Sequence, residues 1–85
     1  MLKLKITRAS GDVSEHLVTP AIEYAFENYA KKGFLKAFRD DEKQSDVYWL
    51  AWKCISLVED VKPFGEPFLQ TLAKVEVLED DSPNG

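Results

Sequence analysis

Any fold of this 85-residue chain has to accommodate the segment VYWLAWKCISLV, residues 47–58. It is apolar on nearly every side, which predicts a helix that is central to the fold or contacts other chains. Helical spacing places one set on a common face that we assign to the core, namely Val47, Leu50, Ala51, Cys54 and Val58. A second face holds Tyr48, Trp52 and Ile55, and Trp49 lies between the two faces. Because so small a domain can hardly bury one helix on all sides, we expect part of the set Tyr48, Trp49 and Trp52 to lie at an interface.

The N-terminal residues predict a β-hairpin. The segment LKLKIT, residues 2–7, alternates between apolar side chains and lysine or threonine, as in a half-buried strand. Gly11 lies in the turn-forming stretch that follows. Residues 13–18 predict a return strand, although their alternation is less regular.

A first helix is predicted immediately after the hairpin. Thr19 is suited to the N-cap position and Pro20 to the first helical position. Apolar residues then recur at helical spacing through residues 22–29. The central helix has two candidate N-caps, which are Asp41 with Gln44 three residues later, or Ser45.

A third helix is predicted to begin near Pro67. Its helical period is carried by Phe68, Leu69, Leu72 and Val75. From Val75 to Val77 the same residues also fit a short extended segment, and both interpretations stay open.

The whole pattern predicts an α+β fold, in which an N-terminal β-hairpin packs against about three α-helices. We expect residues 1–78 to form a single compact α+β domain and residues 79–85 to form a flexible, disordered acidic tail.

The formal net charge of −4 is concentrated at the C-terminal end. All 11 basic residues lie at or before Lys74, where they balance 11 of the 15 acids. The whole net charge therefore comes from the four remaining acids, which are Glu76, Glu79, Asp80 and Asp81. A neutral domain lacks the basic surface expected of a nucleic-acid-binding protein.

No apolar run approaches the roughly 18 residues of a membrane helix. A single cysteine, which excludes an internal disulfide, favours the cytoplasm.

The sequence offers little for catalysis or metal binding. His16 is the only histidine, and no nucleophile and orienting acid are singled out by spacing. Cys54 lies on an apolar helix face, where a buried and unreactive thiol is expected. Residues 40–42 lack the spacing of a calcium-binding loop. We therefore expect no enzyme, no cofactor and no metal site.

A strand LKLKIT and the segment GDVSEHLVTP lead into an amphipathic helix, then YWLAWKC, and PFGEPFLQTLAKVEVLEDDSP follows. The order of these segments resembles that of the small tail assembly chaperones of long-tailed, siphovirus-type bacteriophages, in particular those of actinobacterial phages and prophages. The matching residues are Tyr48, Leu50, Ala51, Trp52, Phe64, Phe68, Leu69, Val75, Glu76, Val77 and the acidic end from Glu79. The resemblance covers most of the chain, and its motifs are packing patterns. It departs from the family at Glu66-Pro67, where an acid-led helix start is expected.

The resemblance implies a role in assembly. Members of the family bind the phage tape measure protein, keep it soluble and help bring in the major tail tube protein, in the host cytoplasm. Many are made in a short form and in a longer form that arises by a programmed ribosomal frameshift, and the acidic end here would then be the junction. The alternative is a structural virion component such as a tail completion or connector subunit. A small regulatory protein that mimics nucleic acid is disfavoured, because four clustered acids are too few to imitate a phosphate array.

The binding surface is expected on the aromatic and apolar side chains of the second and third helices. We assign protein binding to Tyr48, Trp49, Trp52, Phe64, Phe68 and Leu72. A groove between these helices would receive an apolar helix of the tape measure protein. Self-association of the chain stays open as well.

Overall fold

The computed structural model of the protein describes residues 2–41 and 43–79. In chain order its elements are β1 (Leu2–Arg8), β2 (Val13–Leu17), α1 (Pro20–Ala30), α2 (Phe34–Lys36) with a π-helical turn (Ala37–Asp41), α3 (Gln44–Ser56), α4 (Glu66–Leu69) and β3 (Leu72–Glu79). The strands form one antiparallel sheet in the order β2-β1-β3, so the predicted α+β class is confirmed. The acidic tail predicted for residues 79–85 lies outside the described residues from Asp80 onward.

β1 and β2 form the predicted N-terminal hairpin, with Lys5 opposite Glu15. The turn is closed by two hydrogen bonds: the Gly11 amide donates to the Arg8 carbonyl at 2.9 Å, and the Arg8 amide donates to the Asp12 carbonyl at 2.8 Å. Gly11 has a φ of 99°, a left-handed conformation that glycine adopts without the clash a Cβ would cause. This residue therefore sets the turn that aligns the two strands.

The register of the hairpin turns the apolar side chains of β2 away from the helices. On the inner face of the sheet, His16 lies opposite Leu4 and Ser14 lies opposite Ile6. Both β1 residues are fully buried, whereas Leu17 of β2, on the outer face, is 44% exposed. The irregular alternation of β2 thus leaves an apolar side chain at the surface.

The third strand replaces most of the predicted third helix. Only Glu66–Leu69 is helical, and the chain from Leu72 pairs antiparallel with β1. In this pairing Val75 lies opposite Ile6 and Val77 lies opposite Leu4. The extended interpretation of the C-terminal segment is the correct one, because β1 offers an unpaired edge whose inner face is already apolar. The helix predicted to continue to Val75 ends with α4, at Leu69.

The sequence predicted the N-cap of one of the two long helices correctly and that of the other incorrectly. At α1, the Thr19 hydroxyl oxygen accepts a hydrogen bond from the Ile22 amide at 3.4 Å, which confirms the predicted N-cap. At α3, the N-cap position is occupied by Lys43, which makes no side-chain capping bond. Both N-caps predicted for α3, Asp41 and Ser45, are therefore wrong.

α3 forms the centre of the core, and it is buried on more sides than the sequence predicted. It packs between the inner face of the sheet and α1. Its buried residues are Asp46, Val47, Trp49, Leu50, Ala51, Cys54 and Ile55. The assignment of Val58 to the core is wrong: this residue is 71% exposed, because the helix ends at Ser56 and helical spacing no longer applies beyond it.

None of the helices in the described part of the chain is long and apolar enough to cross a membrane. α3 is the longest described helix, with 13 residues. The hydrocarbon core of a bilayer requires about 20 residues of helix.

Candidate functional site

An aromatic cluster of Tyr29, Trp49, Trp52 and Phe64 joins α1, α3 and the segment between α3 and α4. Tyr29 and Trp49 are stacked, with ring centroids 4.7 Å apart and planes inclined by 13°. Trp52 lies 5.8 Å from Trp49 and 6.2 Å from Phe64, in tilted and edge-to-face arrangements. Phe26 connects the cluster to the core, 6.0 Å from Trp49. Three of the six residues assigned to protein binding are thus brought together.

The side chains of the aromatic cluster are mostly buried and pack against one another. Trp49 is 7% exposed, and Trp52 and Phe64 are half-buried. The indole nitrogen of Trp52 donates a hydrogen bond to the Lys62 carbonyl at 2.9 Å, which holds the 57–65 segment against α3. Tyr29, which was not among the predicted binding residues, is the most exposed member, at 48%. The cluster therefore positions the segment that follows α3 and presents one tyrosine face to solvent.

The other three predicted residues lie elsewhere. Phe68 is 2% exposed and belongs to the core. Tyr48 and Leu72 are half-buried, and together with Leu69, Ala73 and Lys74 they line a small cavity of about 130 Å³ beside the start of β3. The predicted site is therefore divided between the core, the aromatic cluster and this cavity, which we call the β3 cavity.

A second surface feature is an apolar groove bounded by β2, the start of α1 and the end of α3. It has a volume of about 450 Å³ and is open to solvent along its length. The buried side chains of Ile22 and Cys54 line it together with Leu17, Leu57 and Val58, which are 44%, 61% and 71% exposed. Several adjoining exposed apolar side chains of this kind are typical of an interaction surface. We call these five residues the apolar groove.

Sequence reasoning missed this groove for two reasons. Val58 continued the helical spacing of the core face, although the helix ends two residues earlier. Leu17 was placed on a strand whose facing could not be decided from its irregular alternation. The one available signal was that Leu57 and Val58 are adjacent apolar residues directly before the polar pair Glu59-Asp60, at a point where a helix could end.

His16 and Cys54, the two candidate residues for catalysis, both line the groove. The Ser14 hydroxyl is 2.9 Å from Nε2 of His16. Partial burial lowers the pKa of His16 and the Arg8 guanidinium lowers it further, against an opposing effect of Glu59, so the neutral ring is favoured. Burial raises the pKa of Cys54 to about 11, which keeps its thiol protonated and weakly nucleophilic.

The charged residues near the start of α3 form a structural network. Lys32 Nζ lies 3.0 Å from an oxygen of Asp41 and 3.1 Å from Oδ2 of the buried Asp46. The hydrogen bond from Lys32 holds the pKa of Asp41 below its usual value, and the two acids raise the pKa of Lys32. The described residues contain no group of three or more His, Cys, Asp or Glu side chains placed to hold a metal ion.

Comparison with known protein families, with characterised proteins and with solved structures finds no match to this chain. In the described part of the chain, the apolar groove and the β3 cavity are candidate binding surfaces.

Proposed function

We propose that this protein is a non-enzymatic tail assembly chaperone of a long-tailed phage or prophage, which acts in the host cytoplasm. It would bind the tape measure protein, keep it soluble and promote assembly of the tail tube. The observation that supports a binding role is the apolar groove, in which Leu57 and Val58 are exposed beside a floor formed by Ile22 and Cys54. The choice of client rests on the resemblance of the sequence.

The groove suits the apolar face of a partner helix. Its floor is buried in the core and is therefore preformed, so that little ordering is required before binding. Leu17 on β2 and Leu57 after α3 both line it. An amphipathic helix that lies in the groove would cover both leucines with its apolar side chains.

The aromatic cluster would contribute indirectly. Trp52 binds the carbonyl of Lys62, and Phe64 packs against the same indole. The segment that carries Leu57 and Val58 is thereby held at both ends, by α3 and by these contacts. In this proposal Trp52 and Phe64 are positioning residues for the groove.

The mechanism follows from the weakness of a single small groove. An unassembled tape measure protein exposes apolar helix faces along a great length, and many copies of a small domain would cover them in parallel. Such multivalent coverage is strong as a whole and reversible copy by copy. The acids near the C-terminal end add like-charge repulsion between bound copies, which favours solubility.

The test is co-expression of this protein with the tape measure protein of the same genome, followed by measurement of the soluble client fraction and of co-purification. The double variant L57D/V58D places two charges in the groove and is expected to abolish both effects. The matched control is L35D, since Leu35 is 64% exposed on α2, outside the groove. If the unmodified protein neither solubilises nor co-purifies with the client, the proposal is rejected.

The resemblance also predicts a programmed frameshift near the end of the reading frame. The nucleotide sequence of codons 75–85 checks this directly. A slippery heptamer followed by an open overlapping frame supports the chaperone, and its absence removes the case for a longer form.

A structural virion component is the second candidate. It is favoured by the outer edge of β3, to which no other strand among residues 2–41 and 43–79 is paired. An open sheet edge is a common means of self-association, which a tail completion or connector subunit requires. Mass spectrometry of purified particles separates the candidates, because a chaperone is absent from them and a structural subunit is present.

A further inference from the structure

β3 presents a row of backbone donors and acceptors at the edge of the sheet. Leu2 accepts from Val18, so its carbonyl points toward β2, whereas the Ala9 amide donates to Thr71 on the β3 side. Since successive residues of a strand point alternately to either side, the odd-numbered residues of β1 bond to β3. Their β3 partners are Leu78, Glu76 and Lys74.

Two of the remaining residues of β3 point outward. These are Val75 and Val77, whose amides and carbonyls face away from β1 by the same alternation, whereas Ala73 lies at the bulge between the pairs Thr7–Lys74 and Arg8–Leu72. The strand contains no proline or glycine that would interrupt further pairing. Val77 adds an exposed apolar side chain at this edge, with 42% of its surface accessible. The edge is therefore suited to accept another strand.

The charges of β3 are self-complementary in one antiparallel register. When Val75 lies opposite the partner's Val75, Lys74 lies opposite the partner's Glu76, and the reverse pair forms by symmetry. A shift of the partner by two residues in one direction places Lys74 opposite the partner's Lys74. The same shift in the other direction places Glu76 opposite the partner's Glu76. Like charges directly opposite each other are destabilising, so one register is selected. A shift by one residue would turn the two inner faces to opposite sides.

This register also places the exposed side chain of Val77 beside the β3 cavity of the other copy. In this register the partner's Val77 lies opposite Ala73, the bulge residue that lines the β3 cavity. The cavity of about 130 Å³ is lined by Tyr48, Leu69 and Leu72 as well as by Ala73. Each copy thus has one exposed valine and one cavity. A two-fold axis at Val75 places the valine of each copy beside the cavity of the other. The bulge of β3 lies at Ala73, so the central pairs of Val75 with Val75 and of Lys74 with Glu76 involve only the regular part of the strand.

We propose that two copies of this protein associate through the outer edges of β3, antiparallel and with Val75 on the two-fold axis. The result is a continuous six-stranded sheet in the order β2-β1-β3-β3-β1-β2. Its surface is separate from the apolar groove, which stays open in both copies. The dimer does not depend on the proposed function, and each can fail without the other.

The first experiment measures mass by sedimentation velocity, over a series of concentrations of the full chain. The unmodified protein is expected to form a dimer in a concentration-dependent manner. The variants K74E and E76K each place like charges across the axis and are expected to be monomeric. Mixed together, they are complementary at both pairs and should form a heterodimer. Circular dichroism of each variant alone checks that it is folded, which matters for E76K because Glu76 lies opposite Lys5 within the same chain.

The second experiment tests the register by cross-linking. In a hydrogen-bonded antiparallel pair the two Cα atoms are about 5.5 Å apart, within the range of a disulfide. V75C is therefore expected to form a disulfide-linked dimer under mild oxidation. V77C is the matched control, since the two copies of residue 77 would be separated by four strand positions, roughly 13 Å. The native Cys54 is buried and does not compete.

Three results would overturn the proposal. The first is a protein that stays monomeric up to about 1 mM. The second is a dimer that persists in both charge variants. The third is a cross-link that forms at residue 77 and fails at residue 75. If L57D/V58D loses client binding and still forms the dimer, the dimer proposal stands. If K74E loses the dimer and still binds the client, the result supports the dimer proposal and does not affect the proposed chaperone function.

Discussion

Tyr29 and Trp49 stack face to face, with ring centroids 4.7 Å apart, and this contact joins the end of α1 to the middle of α3. Trp49 is nearly buried beneath it, whereas Tyr29 keeps 48% of its surface in water. The tyrosine thus covers the tryptophan and closes the aromatic side of the core.

Replacement of this tyrosine tests the contribution of the stack. Y29A removes the ring that covers Trp49, and we expect a loss of about 0.5–1.5 kcal/mol beyond the loss of buried area. Y24A is the matched control, since Tyr24 is on the same helix and 69% exposed. Urea denaturation followed by tryptophan fluorescence measures both variants. Equal stability of the two variants would contradict the assigned role of the stack.

A substitution of Phe68 tests whether this residue belongs to the core or to a binding surface. The sequence suggested a binding residue, but the side chain is 2% exposed and packs in the core. F68A is expected to cost about 3–5 kcal/mol in the free energy of unfolding, because a large buried side chain is lost. L57A, in the apolar groove, is expected to change stability by less than about 0.5 kcal/mol. A stable, well-folded F68A would show that the ring is not part of the core.

The indole of Trp52 is expected to hold the segment after α3. W52F keeps an aromatic ring and removes the donor to the Lys62 carbonyl, which should cost about 1 kcal/mol. Faster amide hydrogen exchange in residues 57–65, with little change in β1, is the expected signature. Exchange that is unchanged in this segment would mean that its position does not depend on the hydrogen bond.

Lys32 is expected to matter more than Lys36 at the start of α3. K32M leaves the buried carboxylate of Asp46 without its cation at 3.1 Å, whereas K36M removes only a longer contact of 4.0 Å with Asp41. An uncompensated buried charge is destabilising, so K32M should lower the melting temperature and K36M should leave it nearly unchanged. Thermal melts at neutral pH compare the two. The ranking is reversed if the network is held by Lys36.

His16 predicts a pH dependence with a definite sign. Its pKa in the folded protein is below the ordinary value of 6.5, so the unfolded chain binds the proton more readily. Stability is therefore expected to fall as the pH is lowered from about 7 through the folded pKa. H16Q removes this proton uptake and should flatten the dependence between about pH 7 and 5. Urea midpoints over this range measure it, and an unchanged slope in H16Q would assign the dependence to other groups.

Local sequence was sufficient for the elements that local interactions stabilise. The hairpin follows from the alternation of residues 2–7 and from Gly11 in the turn, and the start of α1 follows from Thr19 and Pro20. The core face of α3 was predicted correctly for its four residues within the helix. In each case the side chains that decide the structure are within a few positions of one another, so that their spacing carries the information.

The remaining features depended on which surfaces were present to pack against. Residues 72–79 became a strand because β1 had an open edge beside Leu4 and Ile6, whereas the sequence left the choice between helix and strand open only for residues 75–77. Trp49 was buried because α1 supplied Phe26 and Tyr29 on one side of it. The apolar groove arose because α3 ended before Val58 while β2 turned Leu17 outward. The sequence alone determined the N-terminal hairpin and the start of α1. Only the tertiary structure decided which apolar side chains found partners and which stayed exposed, because burial depends on contacts between residues far apart in the chain.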